Sequence, residues 1–474
     1  MKSPLPGLAL ALLGAISLRA DVSLAPLFTD HAVLQQGKAV PVWGRADPGE
    51  LVSVAFHGQT VRATTGQDVR WIALLGALPA TSDGADLVAS GGKGAVVRHD
   101  VVVGEVWLCS GQSNMAFTMD DPRHPAFHLQ NAAQEVAAAN FPLIRQFEVA
   151  RKVSGIPMEN ATGSWVPCSP ATAGPFTAVG YFFARNIQQR LHVPVGIILC
   201  CWSGTPIEPW LSPYALGSDP AFDVVGPRWK QTPPDYPHKD SWMPAGLFNG
   251  MINPLLPYSV RGILWYQGES NAARAREYER LFAALITTWR AHLGQADVPF
   301  YWVQLASYQT PGDPGGMTWA FLREAQAQAL VLPNTGMAVS IDIGDPKDIH
   351  PHNKQEVGRR LALIAKARAY GITGDFSGPV FSAAERVGSG MRVRFRYAEA
   401  GLTAADKPLQ SFELAGPDHR FHQAAAAIAG DTVLVKCPEV PNPVAVRYAW
   451  TNNPDANLYN GAGLPAVPFR SDTW

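Results

Sequence analysis

A chain of 474 residues is long enough for two or three domains and a large core. Only 16 % of its side chains are charged and the formal net charge is −1, which argues against non-specific nucleic-acid binding, since that needs a basic surface. The five cysteines (Cys109, Cys168, Cys200, Cys201 and Cys437) are odd in number and lack framework spacing, so no disulfide scaffold is expected.

Residues 1–20 begin with Lys2, continue as an apolar run from Leu5 to Leu18 and end Arg19-Ala20 before Asp21. This has the form of a secretory signal peptide, with a basic start, a short apolar region and a small residue at the cut. The run is too short to span a bilayer. The expectation is an exported protein, periplasmic or extracellular, that starts near Asp21 and is not inserted in a membrane.

From 21 to about 100, alternating runs such as Val52-Ser-Val-Ala-Phe56 are broken by turn signals at Asp47-Pro48-Gly49 and Ser82-Asp83-Gly84. Short strands with frequent turns predict a β-sandwich-like region. From 101 to 372 strands alternate with amphipathic helices, the pattern of a parallel sheet built from βαβ units. Strands are expected in the Val101–Met115 stretch, ending just before Ser113, and at Pro142–Val149, Val195–Trp202, Gly262–Tyr266, Phe300–Leu305 and Gly336–Ile341. Helices are expected at His128–Asn140, Val179–Leu191, Ala275–Leu293, Ala320–Val331 and Lys354–Tyr370. From 373 to 474 the β pattern returns, as in Met391-Arg-Val-Arg-Phe395 and Thr432-Val-Leu-Val-Lys436.

Ligands of open α/β sheets bind beyond the carboxyl ends of the strands. Four strand ends here carry polar groups. Ser113 sits just past the apolar run that begins at Val101 and is a candidate nucleophile, although Asn114 and Met115 after it exclude the G-x-S-x-G elbow. A serine needs a base, itself oriented by a third group. The segment Asp342-Ile-Gly-Asp345-Pro-Lys-Asp348-Ile-His350-Pro-His352 supplies His350 as base and Asp348 as its partner, with His352 and Asp345 as alternatives and Glu269 as a further possible support. Gly204, in Trp202-Ser203-Gly204-Thr205, and the amides of Gln267 and Asn271 are candidate oxyanion donors. Trp202, Glu269 and Arg323 are candidate substrate contacts, though Arg323 also suits a helix-packing role. Cys200 and Cys201 lie inside an apolar run and read as buried strand residues. No ligand spacing for a metal appears, and no cofactor is expected.

Several stretches resemble the sialate O-acetylesterase family within the SGNH hydrolases: GEVWLCSGQSNM (104–115), SGTPIEPW (203–210), FNGMINPLLP (248–257), WYQGESN (265–271), REAQ (323–326) and DIHP (348–351). Similarity extends to FTDHAVLQ (28–35) and to Val446–Trp474, so it covers nearly the whole mature chain. It implies a three-layer α/β hydrolase core with β-rich flanks, and a serine esterase removing O-acetyl groups from sugars, most of all sialic acids. By the same resemblance Ser113 is the nucleophile, His350 the base and Asp348 its partner, with Ser113 N–H, Gly204 and Gln267 or Asn271 as oxyanion donors. One departure is that many SGNH enzymes place the acid three residues before the histidine, where this chain has Lys347. Plant polysaccharides such as acetyl-xylan or pectin are the alternative substrates, and an inactive carbohydrate-binding protein is the alternative class.

Overall fold

A computed structural model describes residues 21–313 and 316–474; the leader-like segment 1–20 lies outside the described residues. Six strands run parallel through the centre: β1 (Gly94–Gly111), β2 (Ile144–Glu148), β3 (Val195–Cys201), β4 (Gly262–Tyr266), β5 (Phe300–Val303) and β6 (Thr335–Ala338). Their spatial order is β2-β3-β1-β4-β5-β6, and a short strand, Trp165–Pro167, pairs antiparallel with the outer edge of β2. The central sheet is therefore mixed, which corrects the purely parallel expectation. The antiparallel edge strand is three residues long and ends in proline, too short to carry a periodic signal.

Residues of β3, β4, β5 and β6 are all buried, because helices cover both faces of the sheet. On one face Trp107, Cys109, Ile197, Leu264 and Tyr301 pack with α1 (Ala178–Leu191) and with Val357 and Leu361 of a later helix, Lys354–Arg368. Alternate residues, among them Leu108, Ile198, Trp265 and Trp302, face the other way. They meet α2 (Ala275–His292), whose Tyr278, Phe282, Leu285 and Trp289 form an apolar stripe, and α3 (Thr318–Gln328). The helix Lys354–Arg368 is α4. Each fully buried aromatic of this kind contributes about 2–3 kcal/mol. All five cysteines are buried and unpaired. No helix among the described residues is long and apolar enough to cross a membrane.

β1 is eighteen residues long, and the domain boundary expected at 100/101 falls inside it. Its first half pairs antiparallel with Thr81–Gly91, and its middle pairs parallel with Val33–Gln35. Its second half is the centre of the main sheet, flanked by β3 and β4. A separate antiparallel sheet of Ser23–Leu24, Val40–Arg45 and Arg70–Leu75 covers the N-terminal strands. At the other end, residues beyond 373 form two four-stranded antiparallel sheets and a two-stranded one.

β1 ends where Gly111 adopts φ +135°, and an added Cβ there would lie 2.1 Å from the Tyr266 carbonyl oxygen. Only glycine lets the two strand ends come this close. Thr177 caps α1 by accepting from Gly180 N–H at 3.3 Å, and its hydroxyl donates to Met115 O at 2.7 Å, which pins the turn after β1. Gly111→Ala is expected to cost about 3 kcal/mol from backbone strain and overpacking. A denaturant titration showing less than ~1 kcal/mol of loss would contradict this close approach.

Candidate active site

Ser113 opens a single helical turn, Ser113–Ala116, directly after β1. As the first residue of that turn its N–H has no intrahelical acceptor. The Ser113 hydroxyl lies 2.9 Å from His350 Nε2. Asp348 Oδ1 is 3.4 Å from His350 Nδ1 and accepts the His350 main-chain N–H at 2.8 Å. The two-residue spacing thus folds into a tight turn in which one carboxylate oxygen serves both the backbone and the ring. The other oxygen, Oδ2, lies 3.1 Å from His352 Nε2. His352 is thereby turned onto Asp348, and no described hydrogen bond joins it to the serine. Asp345 builds the loop instead, accepting from the N–H groups of Lys347 at 2.7 Å and Asp348 at 3.2 Å. The three residues singled out from the sequence meet in one place.

Gly204 has φ +72°, and its N–H has no protein acceptor among the described residues. Its carbonyl accepts from Trp242 Nε1 at 2.8 Å, which fixes the peptide next to the site. The expected amide donors behave otherwise. Gln267 is fully buried and its Nε2 donates to Asn271 Oδ1 at 2.8 Å and Thr205 O at 3.3 Å. Asn271, also fully buried, accepts from Ile207 N–H at 2.9 Å and donates to Glu208 Oε2 at 3.0 Å. Both amides therefore brace the loop that carries Gly204. This corrects the expectation of oxyanion donors at 267 and 271. Glu208 in turn is held by Arg274 at 2.9 Å and Arg228 at 3.3 Å.

Arg323 is also corrected. It has no exposed surface and donates to four main-chain carbonyls, of Leu305, Ala306, Thr451 and Asn452, at 2.8–2.9 Å. It joins the segment after β5 to the C-terminal region and has no surface to offer a substrate. Trp202 is half-buried at the end of β3, with the Arg151 guanidinium 5.9 Å from its ring centre.

Behind the serine, Glu269 takes part in a charge relay whose other members, Lys354 and Asn114, were not singled out above. Lys354, fully buried at the start of α4, donates to Asn114 Oδ1 at 2.5 Å. Asn114 Nδ2 donates to Glu269 Oε1 at 2.5 Å and to Ile349 O at 3.0 Å. Glu269 thus reaches the histidine loop through Asn114, one residue from the serine. The sequence does carry a signal for Lys354, which sits on the α4 stripe of Val357, Leu361 and Ala365, where a charge is out of place. Burial pulls the Lys354 ammonium down to about 7 against the pull of Glu269 and Asp348. Burial pushes the Glu269 carboxyl up, opposed by the Asn114 hydrogen bond and by Lys354.

The same environment tunes the histidine. Burial and the Lys354 charge lower the His350 pKa below its ordinary 6.5, and Asp348 offsets only part of this. Burial raises the Asp348 carboxyl, but its bonds from His350 N–H and His352 outweigh that and hold it below the usual carboxylate range. The arrangement has the parts of an activated hydroxyl: an acceptor nitrogen on the serine, an anion on the other ring nitrogen, and backbone N–H groups beside it.

A profile of the family described as "Carbohydrate esterase, sialic acid-specific acetylesterase" matches residues 103–366. The chain belongs to this family. The sialate O-acetylesterase of rat (Rattus norvegicus) is 30 % identical, with 99 % of each chain covered. The human (Homo sapiens) sialate O-acetylesterase is also 30 % identical, with 98 % of this chain and 96 % of the relative covered. The crystal structure of a carbohydrate acetylesterase from Xanthomonas citri is 42 % identical over 96 % of this chain and 100 % of its own, with a TM-score of 0.87. This esterase is accordingly a carboxylic ester hydrolase that acts in carbohydrate O-deacetylation.

Two expectations follow. Arg323→Met strips four buried carbonyls of their donor and should destabilise the esterase by about 3–5 kcal/mol. An unchanged melting transition with a raised KM would restore the substrate role for Arg323. The second concerns pH. His350 accepts a proton only when neutral, so kcat/KM should rise with pH through a midpoint below 6.5. Lys354→Met removes a neighbouring positive charge and should move that midpoint up; a pH–rate profile with an unmoved limb would rule out the coupling.

Proposed function

We propose that this esterase removes O-acetyl groups from sialic acids through an acetyl-serine intermediate, with Ser113 as nucleophile, His350 as general base and acid, and Asp348 as the group that orients the imidazole. The observation that carries the reading is the 2.9 Å contact between Ser113 Oγ and His350 Nε2 at the carboxyl edge of the sheet. Ser113 Oγ attacks the acetyl carbonyl while His350 Nε2 takes its proton. The tetrahedral oxyanion is held by the N–H groups of Ser113 and Gly204, donors worth ~3 kcal/mol each in such reactions. His350 then protonates the departing sugar oxygen, leaving acetyl on the serine. Water attacks that ester, gives its proton to His350, and acetate leaves as the proton returns to Ser113 Oγ.

The choice of sialic acid is supported by the family description and by the names of the rat and human relatives. The same reading includes a three-layer SGNH core flanked by β-sandwich regions at 21–100 and 373–474, and export directed by residues 1–20.

Ser113→Ala and His350→Ala should each remove nearly all acetate release from O-acetylated sialic acid, and the double mutant should be little worse, because the groups act as a unit. Asp348→Asn should lower turnover by at least ~10-fold but by less than the ~10⁴ seen for a fully buried triad acid, since the carboxylate is about one-third exposed. Asp345→Asn should be far milder. If Asp348→Asn keeps more than half the rate while Asp345→Asn or Glu269→Gln collapses, the orienting role belongs elsewhere. Acetyl-xylan assayed in parallel tests the substrate assignment directly.

A further inference from the structure

We infer that the groove beside the catalytic serine is a sugar subsite in which Arg151 reads a carboxylate on the same sugar that carries the acetyl ester. This rests on the reading of the site as a sugar O-deacetylase. An open groove of about 740 Å³ lies along the carboxyl end of β2 and its antiparallel edge strand. A narrow extension with the same Arg123, His124 and Arg151 walls reaches Ala116, on the turn that carries Ser113, and Cys201, at the end of β3. β2 is two strands from β1, a distance of about 10 Å. One sugar can therefore place an ester on the serine and another substituent in the groove.

The walls tie the groove to the catalytic groups. His124 stacks on Phe127 at 5.4 Å, and Phe127 stands edge-on to the His350 ring at 5.4 Å. The Arg151 guanidinium lies over Trp202, which precedes the Gly204 loop. Arg151 is exposed, yet its chain is fixed on both sides. Ala150 N–H donates to Thr162 O at 2.8 Å and Ser154 N–H to Gly246 O at 3.0 Å.

What separates Arg151 from the other cations here is its lack of a partner. Among the described residues its side chain forms no ion pair with a carboxylate. Arg123, on the same groove, is occupied by Asp121, with Nε at 2.8 Å and Nη2 at 2.6 Å. Lys354 and Arg323 are buried and engaged. A guanidinium fork held near an indole and free of acids suits a planar carboxylate, which accepts two parallel N–H bonds. Glu148 opens into the same groove and disfavours a second negative charge, while offering an acceptor to a hydroxyl or amide N–H. One acid-free guanidinium beside an indole, with one acceptor on the groove wall, describes a monosaccharide with a single carboxylate and several N–H or O–H donors. A neutral acetylated xylan has nothing for Arg151 to bind.

The test compares O-acetylated N-acetylneuraminic acid with the same compound bearing its carboxyl as a methyl ester. The wild-type esterase is expected to prefer the free acid by at least ~10-fold in kcat/KM, the usual worth of a charge-assisted contact. Arg151→Ala should bring that ratio near one, mainly through KM. Arg151→Lys, which keeps the charge but loses the fork, should fall between. Equal rates on both compounds in the wild type, or an undiminished ratio in Arg151→Ala, overturn the subsite while leaving the sialate reading intact. Failure to deacetylate either compound, with acetyl-xylan cleaved, overturns the sialate reading and the subsite with it.

Discussion

The site hangs on the side-chain amide of Asn114. It is one residue from the serine, and its two ends join three separate parts of the chain. The oxygen accepts from Lys354 at the start of α4, and the nitrogen donates to Glu269 beyond β4 and to Ile349 beside the histidine. A buried amide with all these partners is costly to leave half-satisfied, so the three segments are held in one register. The serine–histidine contact follows from that register. It is made across 237 residues of sequence, and the Lys354–Asn114–Glu269 relay is what spans the gap.

The flanking β regions are coupled to the same edge by different means. On the N-terminal side the coupling is continuous backbone: β1 leaves the N-terminal strands and becomes the central strand without interruption. On the C-terminal side it is a side chain, Arg323, which binds carbonyls on both partners. Asn452 reinforces it by accepting from Trp319 N–H at 2.9 Å and donating to Asp313 at 2.7 Å. A sheet edge lined with loops is the least rigid part of an α/β core, and these two attachments restrain it from both sides.

Much of this was legible in the sequence where burial is complete. β3 and β4 read as unbroken apolar runs because helices cover both their faces, and α2 showed its stripe for the same reason. The helix expected at His128–Asn140 shrinks to Ala132–Ala137, which buries none of its residues and so had no packed face to announce it. Ser113, Asp348 and His350 were visible because polar residues at strand ends are conspicuous. The work of Gln267, Asn271 and Arg323 was not. Whether an amide faces a substrate or a neighbouring loop depends on partners some sixty residues away, such as Thr205, Ile207 and Glu208. Sequence position carries no trace of that pairing.

The relay carries a cost that burial elsewhere in the fold offsets. A buried ammonium costs several kcal/mol in lost hydration, and its attraction to the Glu269 carboxylate through one intervening amide returns only part of it. Gly111 and Gly204 add conformational cost at the same edge, since both leave the backbone region other residues prefer. The compensating burial lies away from the strand ends. Trp107, Trp265, Trp289 and Trp302 are all fully buried between sheet and helices, and each contributes on the order of 2–3 kcal/mol. Stability is thus concentrated in the two faces of the sheet, and the edge is left free to hold charges and strained turns that a less deeply buried fold would shed.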